Sequence, residues 1–423
     1  MHQKLLLRFK REWQVFRSLS LDSRRFFLST LGYMIFDALL YTYAYAFMFS
    51  KTESFIAVAV YNIAFYSSLL LGFYINAMLL RVFSSKQLYI WSSLLQALAI
   101  LAVFFFPVIN LATIAFAGIL GGSFAGIYWA MRNTVYLSFT TDENRHYFEG
   151  LRVLIGASSN TLLVAAAGWF IASSELFSFM SKTLAYQIVG FFGVLIMLIG
   201  TLQLLRVSFP KISVKKLRPT KITPQWKLFR IFILVSSVQF MITSTVPETI
   251  VLHFLGNEGV LGTLQAIFII LSTLLIYFLG RKSSKHHRVY ILLASAVPLA
   301  LISGLVLFVH NPILIILYLL VMSLSDRLFW FVYFPIFSRA IEFETTDSDE
   351  EYAYALDHEV WTNISRVITI LLYIWLIQYF GDVNGMFIAL AGGALMQVAT
   401  ALVAKPLLRM QNSRLLLRPQ TNS

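Results

Sequence analysis

The amino-acid sequence predicts an all-α integral membrane protein, with about twelve transmembrane helices in two pseudo-symmetric six-helix bundles. Three observations predict it: long apolar runs, basic residues gathered in alternate short loops, and two short signatures that recur at equivalent places in the two halves of the chain. Of 423 residues, 58% are hydrophobic and 13% charged, whereas a soluble domain carries roughly 25% charged residues to cover its surface. The apolar runs have the roughly 20-residue length that crosses a bilayer core as helix. Lipid offers backbone N–H and C=O groups no partner, so each span must be a helix. The period-2 alternation of a transmembrane barrel is absent.

Taken in order, runs broken by charge, Pro, Gly or Asn place the spans at 26–49, 54–80, 88–109, 111–139, 151–173, 184–208, 228–252, 258–280, 289–309, 312–340, 358–380 and 382–404. The basic N-terminal segment (Lys4, Arg8, Lys10, Arg11, Arg17, Arg24 and Arg25) lacks a short apolar region with a small-residue cleavage site, so the first span is expected to be retained. One side of the membrane collects this segment, Arg81, Lys86 and Arg145, then Lys211, Lys215, Lys216, Arg218 and Lys221. It continues with Arg281, Lys282, Lys285 and Arg288, and with Lys405, Arg409, Arg414 and Arg418; the other side shows only Lys51 and Lys182. Such a bias predicts a multi-pass protein of the cytoplasmic (inner) membrane with both termini cytoplasmic. It assigns the net charge of +13 to topology, and nucleic acid is not expected as a partner. With no cysteine there is no disulfide framework and no thiolate metal site.

The longest interior break, 209–227, is basic and holds Pro210, Pro219 and Pro224. It predicts an N-terminal six-helix bundle over 1–208, a cytoplasmic central linker over 209–227, a C-terminal six-helix bundle over 228–405 and a cytoplasmic tail over 406–423. Ser84-Ser85-Lys86 after the second span matches Ser283-Ser284-Lys285 after the eighth. Thr140-Thr141-Asp142, with Tyr147 beyond it, matches Thr345-Thr346-Asp347 with Tyr352 after the tenth. Two matches at equivalent loops and nearly equal offsets point to a duplicated six-helix unit.

Twelve spans in two related halves, a basic central loop and cytoplasmic termini resemble the major facilitator superfamily across nearly the whole chain. That family carries G-x-x-x-D-R-x-G-R-R between its second and third helices. Here the stretch runs Ala77, Arg81, Val82, Ser84, Ser85, Lys86, so only the last basic position is kept, and its counterpart after the eighth span keeps Arg281 and Lys285. The Asp is missing from both. The resemblance implies alternating access, with the first, fourth, seventh and tenth spans lining a central cavity. Another carboxylate must then help to lock the cytoplasmic side.

Charged groups within spans are costly unless they face protein or water, which makes each a candidate. In the first span Asp37 shares a helical stripe with Thr30, Tyr33, Tyr41 and Tyr45; it is a pathway carboxylate or a structural acceptor between helices. The fourth span has Arg132 between Tyr128 and Tyr136, next to Asn133. Its guanidinium can grip an anion at two points, pair with Asp37, or tie the cytoplasmic end. Asp326 and Arg327 in the tenth span point about 100° apart, with Trp330 and Tyr333 on the Asp326 face, and either charge can pair across the cavity. In the seventh span Glu248 follows Pro247 near the outer end, where the expectation favours a solvated rim, with Gln239 and Thr243 deeper. Arg366 in the eleventh span is near enough to the cytoplasmic end to snorkel.

A cytoplasmic gate is expected from Arg81, Lys86, Arg281, Lys285, Asp142 and Asp347, with acids of the 341–359 loop pairing with Arg81, Lys86 or Arg281 when that side is shut. Gly118, Gly122 and Gly126, and Gly392-Gly393, read as small-residue packing ridges. The expected function is secondary transport of a small-molecule substrate across the lipid bilayer, coupled to protons, since a carboxylate withdrawn from water can hold a proton near neutral pH. Asp37 or Asp326 is the expected proton carrier. Two alternatives stand beside it: a facilitator or exchanger of organic anions using Arg132 and Arg327, and a non-transporting membrane sensor or assembly partner. No cofactor, metal or enzymatic nucleophile is expected.

Overall fold

The computed structural model describes residues 16–17, 19–139, 142–212, 214, 216–282, 287–345 and 348–417. They form helices and connecting turns, with no strand among the described residues. The first half holds α1 (Leu21–Thr52), α2 (Phe55–Leu79), α3 (Ser85–Ala102), α4 (Leu111–Phe139), α5 (Asp142–Leu176) and α6 (Lys182–Leu202). The second holds α7 (Pro224–Thr243), α8 (Pro247–Leu255), α9 (Glu258–Lys282), α10 (Arg288–Phe308), α11 (Pro312–Glu344), α12 (Ser348–Phe380) and α13 (Asp382–Leu417). Eleven segments are long and apolar enough to cross a membrane, and α5 contributes a shorter apolar helix over Thr161–Leu176. Helix starts follow local chemistry. Ser84 and Gln87 form a capping box at α3, and Thr223 and Asn311 cap helices that begin with Pro224 and Pro312.

The seventh span is two helices, α7 and α8, separated by a turn at 244–246. Pro247 has no N–H to give and its ring clashes with the carbonyl four residues back, that of Thr243, which is where α7 stops. Three other expected boundaries are corrected. The acidic 341–359 stretch is not a loop: α11 runs to Glu344 and α12 starts at Ser348. The last helix does not end near 404 but continues through Pro406 to Leu417, so most of the expected tail is helical. The fifth helix begins at Asp142, before the expected span.

Packing shows the duplication. In the first half α1 lies on α5 and α6, α2 and α3 lie on α4, and α3 lies on α6. The second half repeats each of these pairings: α7 on α12 and α13, α9 and α10 on α11, and α10 on α13. Between the halves, α5 packs on α9, α2 on α12 and α1 on α8. The α2–α4 contact is the tightest because both helices offer glycine. A Cβ at Gly122 would sit 2.0 Å from the Phe65 carbonyl oxygen, and one at Gly72 would sit 2.3 Å from that of Ser123. Gly118 and Gly126 join this ridge. Of the second glycine pair only Gly393 packs, against Gln239 and Ile242; Gly392 faces open space. One apolar core runs through both halves, while a second, around Trp226, Phe229 and Tyr354, belongs to the second half alone.

Candidate functional site

The tyrosine stripe of α1 is built into a hydrogen-bonded cage. Tyr33 stacks on Tyr128 of α4 at 3.9 Å between ring centroids and meets Trp129 edge-on. Buried Gln96 of α3 donates to the hydroxyls of Tyr33 and Tyr41 at 3.1 and 3.0 Å. Tyr45 donates to Asn62 of α2 at 2.7 Å, and Asn62 donates to Thr245 in the α7–α8 break at 2.9 Å. Half-buried Asp37 stands in this cage with no hydrogen-bond or ion-pair partner among the described residues. Arg132 does not pair with it. Its guanidinium lies over Trp129 at 5.2 Å and Tyr136 at 5.7 Å, beside the Asn133 amide oxygen at 3.4 Å, and meets no carboxylate among the described residues.

Asp326 and Arg327 part company. Half-buried Asp326 accepts from Trp330 Nε1 at 3.1 Å and lines a cavity with Ser236, Gln239, Thr243, Gln397 and Thr400. That cavity is about 10 Å³, room for one water, and the Gln239 Oε1 atom is buried without a partner. Arg327 is exposed, one step of 100° round the helix from Asp326. Trp330 packs on Phe240 and Tyr333, and the Tyr333 hydroxyl meets His358 Nε2 at 2.5 Å. Glu248 is not at a solvated rim. It is half-buried and accepts from Gln265 of α9 at 3.2 Å, while Thr42 of α1 donates to the same amide at 3.3 Å.

The central charge is one that the sequence reading set aside. Arg366 of α12 binds Glu359 at 2.8 Å, both nearly buried at 11% and 12% side-chain exposure. The guanidinium sits over Tyr66 of α2 at 4.4 Å and over Phe240 of α7 at 5.1 Å, with its Nε buried and unpartnered. Asn363, between the two charges, donates to the Tyr66 carbonyl. Residues 359, 363 and 366 share one helical face inside the expected span 358–380, so their spacing was the signal in the sequence. On the same helix Asp357 takes two hydrogen bonds from Arg230, at 2.8 and 2.5 Å, and one from Trp226.

The two ends of the seam differ. Away from the basic side, Glu258 at the start of α9 is 1% exposed and bridges to the other half through Lys182 at 3.1 Å and the Tyr186 hydroxyl at 2.5 Å. Gly168 and Gly262 let α5 and α9 touch there, and Trp169 donates to Thr263 at 2.9 Å. On the basic side, Tyr352 donates to the Phe73 carbonyl at 2.9 Å. Among the described residues the acids there do not pair with Arg81 or Lys86. Glu350 binds Lys216 and Thr220, Glu344 binds Thr223, and Lys86 binds the Leu205 carbonyl. Lys285, Asp347 and the side chains of Asp142 and Arg281 lie outside the described residues. Among the described residues no group of three His, Asp or Glu could hold a metal ion.

Fold-level likeness agrees with this layout. A nucleoside transporter, NupG, superposes with a TM-score of 0.63 at 13% identity over 92% of this chain and 99% of that one; a point mutant of it gives 0.66 at the same identity, over 92% and 100%. A variant of the Escherichia coli fucose:proton symporter FucP gives 0.57 at 16% identity, over 90% and 97%. No curated protein matches the sequence. The sequence profile of the Major Facilitator Superfamily matches residues 26–346, and the chain belongs to that family.

Proposed function

We propose that the chain is a proton-coupled secondary transporter that moves a small polar solute by alternating access along the seam between its halves. The Arg366–Glu359 pair carries this reading. It belongs to the second half but is covered on one face by Tyr66 of the first, so parting the halves uncovers a buried charge pair. A group whose surroundings change between two states is what couples a ligand to a conformational equilibrium. Asp37, alone among tyrosines on the other side of the seam, is the proposed proton carrier, with Asp326 beside its water-sized cavity as the second carboxylate. Residues 1–208 and 228–405 are the proposed moving bodies, joined by 209–227. The basic side is the proposed cytoplasmic face of an inner membrane, with both termini on it.

Aromatic faces at Tyr66, Phe240 and Trp330 suit a ring, and the amide and carboxyl groups of Gln239 and Asp326 suit hydroxyls. Nucleosides and monosaccharides, the solutes of the superposed transporters, therefore head the panel. Organic-anion exchange is the second reading, supported by the unpartnered Nε of Arg366 and by Arg132, which meets no described carboxylate. The test is uptake of labelled nucleosides, monosaccharides and dicarboxylates into liposomes holding the purified protein, with and without an acidic exterior. Gradient-driven uptake that Glu359→Gln abolishes supports coupled transport. Flux indifferent to the gradient would sink the coupling, and no flux of any solute would favour the sensor.

A further inference from the structure

We propose that the groove between the end of α2 and the central linker is a binding site for the phosphate headgroup of an acidic phospholipid. The groove measures about 510 Å³ and is lined by Arg81, Lys216 and Arg218 together with Met78, Leu217 and Pro219. Three cations line it, and Glu350 is engaged by Lys216 at 2.9 Å and by Thr220. Arg81 and Arg218 are exposed and have no carboxylate partner among the described residues. Two of the three cations of the groove thus lack a described acid, and an anion would match them.

Two features select a lipid over a soluble anion. The groove opens at the basic end of a helix long and apolar enough to cross a membrane, where an excess of Lys and Arg attracts acidic lipid. Its apolar wall also continues along the helix: Met78, which lines the groove, lies on one exposed face of α2 with Leu71, and exposed Val82 follows in the turn beyond. A phosphate held by Arg81 and Arg218 leaves its acyl chains free to run along that face. The bound lipid would join α2 of the first half to the linker, which Glu350 ties to α12 of the second. It would therefore steady the α2–α12 contact on this side. The inference does not depend on the transport reading.

Native mass spectrometry of the purified full chain tests it, with phosphatidylglycerol as the probe and phosphatidylcholine as the neutral control. The wild type is expected to retain phosphatidylglycerol preferentially. Arg81→Ala with Arg218→Ala should lower that retention by about twenty-five-fold, at roughly a factor of five for each lost charge. Arg81→Lys with Arg218→Lys should preserve most of it, and an unchanged melting temperature in the alanine variant excludes misfolding as the cause. Equal retention by wild type and the alanine variant overturns the site. Displacement of the lipid by millimolar inorganic phosphate overturns the choice of a lipid as its occupant.

Discussion

The two halves hold charge at the seam in opposite ways. In the first half Asp37 is unpaired within a tyrosine cage, and Arg132 is covered by aromatic rings rather than by an acid. In the second half the acids of α12 are matched: Asp357 by Arg230 and Trp226, Glu359 by Arg366. A matched pair is neutral and keeps its geometry, so it suits a scaffold or a solute anchor. A lone carboxylate can change its charge without breaking a partner, so it suits a proton carrier. Two copies of one helical unit have thus been given different electrostatic tasks.

Removing one member of a matched pair breaks the comparison most severely. Arg366→Gln or Glu359→Gln leaves the remaining charge buried, which costs about 3–5 kcal/mol of stability. The double variant removes both charges and should recover most of that loss in a thermal melt, yet transport in liposomes should stay abolished. Recovery of transport along with stability would make the pair structural only. Asp37→Asn should behave differently. With no partner to strand, it should change stability by less than about 1 kcal/mol while uptake loses its dependence on the proton gradient. Full gradient-driven uptake in that variant would remove Asp37 from the mechanism.

A smaller effect is expected where the halves are joined by charge, at Glu258. Its link to Lys182 and Tyr186 closes the seam on the side away from the basic loops. Glu258→Gln weakens that link, and a loss of about 1–2 kcal/mol shifts the equilibrium toward opening there by roughly tenfold. The chain has no cysteine, so a single Ala165→Cys beside Gly262 reports the change. Its labelling by a membrane-impermeant thiol reagent should accelerate when Glu258→Gln is added. An unchanged labelling rate would mean that the glycine contacts alone hold that end.

Span number, the duplicated pairing and the α4 glycine ridge were legible because they follow from length, repetition and residue size along one helix. The charge partners were not. Asp37 and Arg132 invited pairing by sign, but sign says nothing about distance between helices, and the rings of Trp129 and Tyr136 take the guanidinium instead. Glu258 read as a helix start, because its partners lie on a helix far away in sequence. Glu359 lies where the expected span 358–380 overlaps the acidic stretch 341–359, and the part of that stretch from Ser348 on forms the first turns of α12, where the acid meets Arg366 two turns on.

The least disruptive change tests the limit of reading function from a charge within a span. Adjacent helical residues diverge by about 100°, so Asp326 and Arg327 cannot both face the same cavity, and the sequence does not say which one does. Asp326 lines the cavity with Gln239 and Thr400, while Arg327 lies on an exposed face with Phe334. Arg327→Gln should therefore alter stability by no more than about 0.5 kcal/mol and leave solute uptake near the wild-type rate. Asp326→Asn, one position away, should impair uptake. If Arg327→Gln instead abolished uptake, Arg327 would have to turn inward in another state of the cycle. The second half, where Asp326 and Glu248 already have amide or indole donors but no described cation, would then carry an unmatched cation as well, and the contrast between the halves would narrow to the pairs on α12.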